Sequence, residues 1–310
     1  MKKIFLTEGN HLREISTLEK GCWVHLQNPT PEEINGLNVR FHLDGSYLSA
    51  ALDEEESARI ERDEDQTLII VDIPYVEEEV GGFSYSTVPL GIVVVDDIII
   101  TVSTRESAII QDFMQEKIRG FWTYKRTRFI LQLLHRNASL FLTYLKQIDK
   151  ISLKVQGTLQ ESMRNKELLH MMRLEKSLVY FSTSLKGNEM VLEKLFRFSN
   201  FNKYPEDNDL LEDVIIENKQ AIEMCAIYRD IMSGTMDVFA SIISNNLNIV
   251  MKILTSLTVL LAVPTLFASL WGMNVEVPFE GMGGGFWIVL GISLFASLVA
   301  FFVLWRKKMF

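Results

Sequence analysis

The pattern of apolar and polar positions falls into three regimes along the chain. Over residues 1–120 it comes as short runs rich in β-branched and apolar residues. These predict strands at Lys3–Leu6, Cys22–Leu26, Thr67–Val71, Ser84–Val88 and Gly91–Val102. The last is split by Asp96-Asp97, a hairpin turn from which Ile98–Val102 returns. Glu77 to Gly82, EEEVGG, predicts a loop. Thr30-Pro31-Glu32-Glu33 opens a helix by rule, with Thr30 as N-cap, Pro31 in the first turn and Glu33 closing a capping box. Residues 106–200 take up a helical period, clearest over Phe129–Leu145 and Glu167–Phe196.

The third regime begins near residue 205. Pro205 and the acidic run from Glu206 to Asp209 mark a boundary, and from Asp209 to Asn274 only Gly234, Pro264 and Gly272 interrupt a helical reading. These 66 residues would make one helix of about 100 Å at about 1.5 Å each. Within it, the 23 residues from Ile253 to Val275 carry no charge, enough to cross a hydrocarbon core of about 30 Å. A second uncharged run extends from Gly281 to Trp305. Pro264 should bend the first span near Thr265.

The divisions expected are a cytoplasmic domain over 1–200, a stalk over 205–248, a first span over 249–274, a loop over 275–285, a second span over 286–305 and a basic tail over 306–310. Lys252, Arg306, Lys307 and Lys308 flank the two spans, whereas the loop holds only Glu276 and Glu280. That asymmetry puts both ends in the cytoplasm and the loop outside. The MKKIFLTEGN start lacks the apolar stretch of a signal peptide.

Charge sharpens the picture. Lys and Arg number 31 against 40 Asp and Glu. After residue 245 there are four basic and two acidic residues, so residues 1–245 hold 27 against 38, a net −11. An acidic cytoplasmic region disfavours nucleic acid as a partner and favours cations. Cys22 and Cys225, in a reducing compartment, read as free thiols in packed positions. No glycine-rich phosphate loop and no Ser-His-Asp or Cys-His set appears, so nothing supports an enzyme. His11, His25, His42, His135 and His170 read as core or surface histidines rather than metal ligands. Asn137-Ala-Ser139 fits a glycosylation sequon but falls in a predicted cytoplasmic helix.

Across the first span Asn248, Met251, Thr255, Thr258, Ala262, Thr265, Ser269 and Gly272 recur at spacings of 3, 4, 3, 4, 3, 4 and 3. This stripe is small or polar almost throughout, with Leu254, Leu257, Leu261 and Phe267 off it. Such a stripe serves either close helix–helix packing or the lining of a water-filled pore. The spacing leaves both open.

At Gly272-Met273-Asn274 the sequence resembles the CorA-type magnesium transporters, whose signature is a Gly-Met-Asn tripeptide closing the first of two C-terminal spans. Asp230, Ser233, Asp237, Ser241, Ser244-Asn245, Asn248, Met251-Lys252 and Leu254-Thr255 are similar to the family's run from stalk to pore. The likeness is strong over about 205–310 and only architectural over 1–200.

The resemblance implies an α+β cytoplasmic domain, a mixed sheet with helices on both faces, joined by a long stalk helix to a two-helix transmembrane hairpin. It implies a funnel-shaped homopentamer in the plasma membrane, with lipid and divalent cations as its partners. Mg²⁺ would be both cargo and regulator, with no organic cofactor; Co²⁺ and Ni²⁺ would be further cargo. Gly272, Met273 and Asn274 would form the selectivity filter, the Asn274 amide oxygen holding Mg²⁺ through its water shell. Asn248, Thr255, Thr258, Ala262, Thr265 and Ser269 would line the pore, and Met251 with Leu254 would gate it. Ala262 stands where members of the family can carry a bulky apolar residue, and Trp271 where Tyr or Phe is usual. Glu276 and Glu280 would concentrate cations at the mouth.

The acids Asp53–Glu56, Glu61, Asp63, Glu64 and Asp65 read either as a solvated face or as part of an intracellular metal sensor. By position Asp213 matches the family's stalk acid, and Glu54 is a looser match within the domain. Mg²⁺ bridging such acids would hold the channel shut. Two other functions fit the chain: the zinc-transporting branch of the superfamily, and a membrane-anchored cation-binding regulator that conducts nothing. Hard oxygen chemistry and the lack of His or Cys near the pore favour Mg²⁺ over the first. The polar stripe, which an anchor does not need, argues against the second.

Overall fold

The computed structural model describes all residues except 10, 64, 80–81, 163–164, 198–204, 280 and 308–310, and the backbone alone of 79, 82, 160–162 and 165. The chain divides into two compact units, Met1–Gly234 and Thr235–Phe310.

The first unit is built on one sheet of seven strands: β1 (Lys2–Glu8), β2 (His11–Glu14), β3 (Trp23–Gln27), β4 (Arg59–Asp63), β5 (Gln66–Glu79), β6 (Gly82–Val95) and β7 (Ile98–Ser103). Their order across the sheet is β2-β1-β3-β7-β6-β5-β4. Only β3 and β7 pair in parallel, so the sheet is mixed. Alternation along the strands sends Ile69, Val71, Ile92 and Ile99 to one face and Leu68, Ile70, Val93 and Ile100 to the other. The second face is covered by α1 (Pro31–Phe41) and α2 (Tyr47–Ala50), through Leu37, Tyr47 and Leu48. The first is covered by α3 (Ala108–Met114), α4 (Arg126–Ser162), α5 (Asn165–Arg197) and the start of α6 (Pro205–Trp271). A mixed sheet with helices on both faces is what the resemblance implied.

The local signals held where they are chemical. Thr30 Oγ1 accepts from the Glu33 N–H at 3.3 Å, and a Glu33 carboxylate oxygen accepts from the Thr30 N–H at 3.0 Å. Val95 and Ile98 pair across Asp96-Asp97, with Asp96 at φ 48° and Lys20 2.8 Å from the Asp97 carboxylate.

Three expectations need correction. Ser84–Val88 and Gly91–Val95 belong to one strand, through Pro89. Glu77–Glu79 is strand, not loop: Glu77 pairs with Ser84 and Glu78 with Phe83, so β5 and β6 form a hairpin of 14 residues a side. Strand propensity yields to a well-matched partner, and the Glu77 and Glu78 side chains stay exposed near the hairpin's end. The helical stretch from 106 is broken over 115–125, where Glu116 and Gly120 adopt positive φ. That break lets Phe121 stack on Phe113 and Trp23, while Thr123 and Thr7 exchange backbone-to-hydroxyl hydrogen bonds at 3.1 and 3.0 Å.

β4 pairs with β5 only as far as Ile70, so the β5 edge continues beyond its neighbour. Helix side chains close it. The Asp72 N–H donates to Asn188 Oδ1 at 2.9 Å, and the amides of Asn188 and Asn137 both donate to the Asp72 carbonyl at 2.8 Å. The sequon asparagine is therefore a buried edge cap. Both cysteines are buried and free; Cys225 donates to the Leu178 carbonyl, and burial pushes its thiol up to about 11.

The second unit holds the rest of α6 and α7 (Gly285–Arg306), whose apolar windows have mean hydropathies of 2.0 and 2.5 with 6% and 11% of each buried. Helices this apolar and this exposed are stable only in lipid.

Candidate functional site

α6 runs as one helix from Pro205, which takes its first position, through Pro264 to Trp271. Gly272, Met273 and Asn274 therefore lie beyond the helix, in a turn. The Gly272 N–H still donates to the Ala268 carbonyl at 3.0 Å. Its φ is not left-handed, and a methyl group at Gly272 would meet only the carbonyls of Ala268 and Ser269, at 3.2 and 3.9 Å. Met273, Asn274, Val275 and Glu276 are exposed. Glu280 lies outside the described residues.

Burial distinguishes one face of the first span. Ser256, Leu260, Val263, Pro264, Phe267 and Trp271 are the half-buried or buried positions of α6 from Lys252 onward, and Gly285, Val289, Ser293, Ala296 and Ala300 are among those of α7. Thr255, Thr258, Ala262, Thr265 and Ser269 are all exposed. At about 100° per residue the centre of the polar stripe lies about 160° around the helix from the centre of the packed face. The stripe is thus turned away from the chain's own second span.

Two of the stripe's hydroxyls, those of Thr258 and Thr265, have a common orientation. Thr258 Oγ1 donates to the Leu254 carbonyl at 2.8 Å and Thr265 Oγ1 to the Leu261 carbonyl at 2.7 Å. Each proton is spent on the helix itself, leaving oxygen lone pairs to face outward. A stripe of acceptors suits hydrated cations, whose water shells present hydrogens. Asn248 is exposed, and Met251 and Leu254 are 52% and 55% exposed.

In the first unit Asp213 is exposed on α6, and Glu54 is exposed in the turn before β4. Glu54 already has a partner: Arg105 Nε is 3.1 Å from it, while the same guanidinium lies 3.4 Å from Glu77 and 4.8 Å from the Tyr75 ring centre. Sequence reasoning missed Arg105, for it is 51 positions from Glu54 and only the sheet brings them together. Among the described residues of one chain, no group of three His, Cys, Asp or Glu side chains is placed to hold a metal. His25 is buried against Thr101 and His135 lies 3.4 Å from Glu217.

The arrangement belongs to a membrane transporter, and the comparisons agree. The profile of the family described as CorA-like Mg2+ transporter protein matches residues 19–308. The chain belongs to that family and is a membrane protein with two C-terminal spanning helices. It is 29% identical over 302 residues to the cobalt/magnesium transport protein CorA of Methanocaldococcus jannaschii, covering 92% of this chain and 90% of that one. The complete structure of the CorA magnesium transporter from the same organism superposes with a TM-score of 0.84 at 24% identity, over 98% of this chain and 96% of that one. The ZntB cytoplasmic domain of Vibrio parahaemolyticus shares the fold, with a TM-score of 0.60 at 13% identity, over 79% of this chain and 96% of that one.

Proposed function

We propose that this protein is a homopentameric channel of the plasma membrane, both termini cytoplasmic, that admits Mg²⁺ and, less selectively, Co²⁺ and Ni²⁺. The observation that carries the reading is the orientation of the polar stripe. Its hydroxyl oxygens face away from α7, toward the position that further copies of α6 would occupy around a common axis. Thr255, Thr258, Ala262, Thr265 and Ser269 then line the pore, with Asn248 at its cytoplasmic end and Met251 and Leu254 as the apolar constriction. Gly272, Met273 and Asn274 form the filter, where a ring of amide oxygens holds the ion by its water shell, since Mg²⁺ dehydrates reluctantly. Glu276 and Glu280 raise the local cation concentration.

Cytoplasmic Mg²⁺ closes the channel by bridging Asp213 to acids of a neighbouring copy, with Glu54 among them. Mg²⁺ reaching Glu54 has to displace Arg105, which sets a higher threshold for that site than for a free carboxylate.

The test is ion flux into proteoliposomes with Mg²⁺, Co²⁺ or Zn²⁺ outside, for the native chain and for Asn274→Ala. Mg²⁺ flux that is lost in the variant supports the reading. Zn²⁺ flux driven by a proton gradient, with little Mg²⁺ flux, moves the protein to zinc transport. A folded oligomer that passes no ion is a regulator.

A further inference from the structure

The turn carrying the tripeptide is held at both ends by one side chain. Trp271 is the last residue of α6 and is half-buried, in a segment where its neighbours are exposed. Its indole N–H donates to the Pro278 carbonyl at 3.1 Å. That single bond closes a ring of backbone around residues 272–277, which include Gly272, Met273, Asn274 and Glu276. The same edge of the indole faces the start of α7, where a methyl group added at Gly285 would lie 3.5 Å from Trp271 Cζ2 and 2.5 Å from the Phe279 carbonyl oxygen. Gly285 is buried and its N–H donates to the Met282 carbonyl at 2.9 Å. Phe279, at φ 72°, turns the chain so that its carbonyl sits on Gly285. The far end of the loop is thus seated against α7, and the indole ties the near end to it.

We propose that Trp271 is a positioning residue for the filter: its N–H···O bond to Pro278 fixes the arc on which Asn274 is presented. The inference rests on the filter reading of Asn274. A short loop whose ends are joined keeps its middle within a narrower range of positions, so less ordering remains to be done when the ion arrives. Phenylalanine at this position keeps an aromatic ring and loses the donor. Without the bond the loop has to be ordered by the ion itself. Binding at the filter weakens, whereas the passage of ions along the stripe does not change.

The experiment compares the full chain with Trp271→Phe and with Trp287→Phe, a control whose ring is 71% exposed. Initial Mg²⁺ flux into proteoliposomes is measured across Mg²⁺ concentrations. The expected result is a half-saturating concentration raised about three- to tenfold in Trp271→Phe, the worth of one exposed-to-half-buried hydrogen bond, with maximal flux within about twofold. Trp287→Phe leaves both unchanged. A Trp271→Phe oligomer whose half-saturation matches the native value overturns the proposal, as does one that loses maximal flux alone.

Exchange of the indole N–H in the native protein keeps the proposal testable should the variant not assemble. Trp271 is expected to exchange at least about tenfold more slowly than Trp287, and equal rates overturn the bond. The underlying filter reading fails separately, if Asn274→Ala conducts Mg²⁺ with the native half-saturation.

Discussion

Acid should weaken the first unit through one buried histidine. His25 is 4% exposed, its ring 6.1 Å from that of Trp23 and its Nδ1 2.9 Å from Thr101 Oγ1. The same hydroxyl accepts from the Trp23 indole N–H at 2.9 Å, so the ring is held in a closed, hydrogen-bonded pocket. Burial, with the charge of Lys3 adding to it, lowers the histidine from 6.5 to about 4. The unfolded chain therefore takes up a proton between pH 6.5 and 4 that the folded chain refuses. Stability from this group is complete above about pH 6.5, declines as pH falls, and stops declining below about pH 4. A gap of about 2.5 units, at about 1.36 kcal/mol each, is a loss of about 3 kcal/mol.

Carboxylates also titrate in this range, so the measurement is a difference. Urea unfolding of the full chain in detergent, followed by near-ultraviolet circular dichroism, is compared with that of His25→Asn between pH 4 and 8. The side-chain amide of asparagine can donate to or accept from the Thr101 hydroxyl and does not titrate. The native curve should fall toward the variant's by about 3 kcal/mol between pH 6.5 and 4. Two curves that run parallel through that window would refute the reasoning.

Three further outcomes are expected. Gly285→Ala places a methyl group 2.5 Å from a backbone oxygen and should lower stability by about 1–3 kcal/mol, seen as a reduced melting temperature; Gly291→Ala, with nothing within 4 Å, should not. Thr265→Val replaces an outward oxygen with a methyl group at constant shape. Mg²⁺ flux should fall severalfold while the oligomer seen by size exclusion is unchanged. Arg105→Gln frees Glu54 and Glu77, so the cytoplasmic Mg²⁺ concentration that halves flux should drop severalfold.

What could be read from the sequence was whatever a few neighbouring residues determine among themselves. The Thr30–Glu33 capping box, the Asp96-Asp97 turn and the two apolar spans are of that kind. β4, RIERD, escaped notice because it is an edge strand with one buried residue, Ile60, and charges elsewhere. The strand character of Glu77–Glu79 comes from Ser84 and Phe83 across the hairpin, not from the glutamates. The stripe itself was legible, but not its direction, since spacing along one helix cannot say where the neighbouring helix lies. Ser256 and Phe267 turned out to face α7, which left the threonines free. Trp271 was noticed as an interfacial aromatic, and only the fold of the loop back to Pro278 gave its N–H a task.

The two asparagines that close the β5 edge also set an order of events during synthesis. Asn137 and Asn188 stand 65 and 116 residues downstream of Asp72, whose carbonyl they both engage. Strands β1 to β7 leave the ribosome long before either. Until α5 has been made, the outer edge of β5 beyond Ile70 has nothing to pair with, and an open edge invites another chain. Contacts this distant in sequence close late and slowly. At about 5–20 residues per second, the Asp72 carbonyl waits between roughly 6 and 23 seconds after its own synthesis for its last amide, a window in which a chaperone able to cover one strand edge would improve the yield.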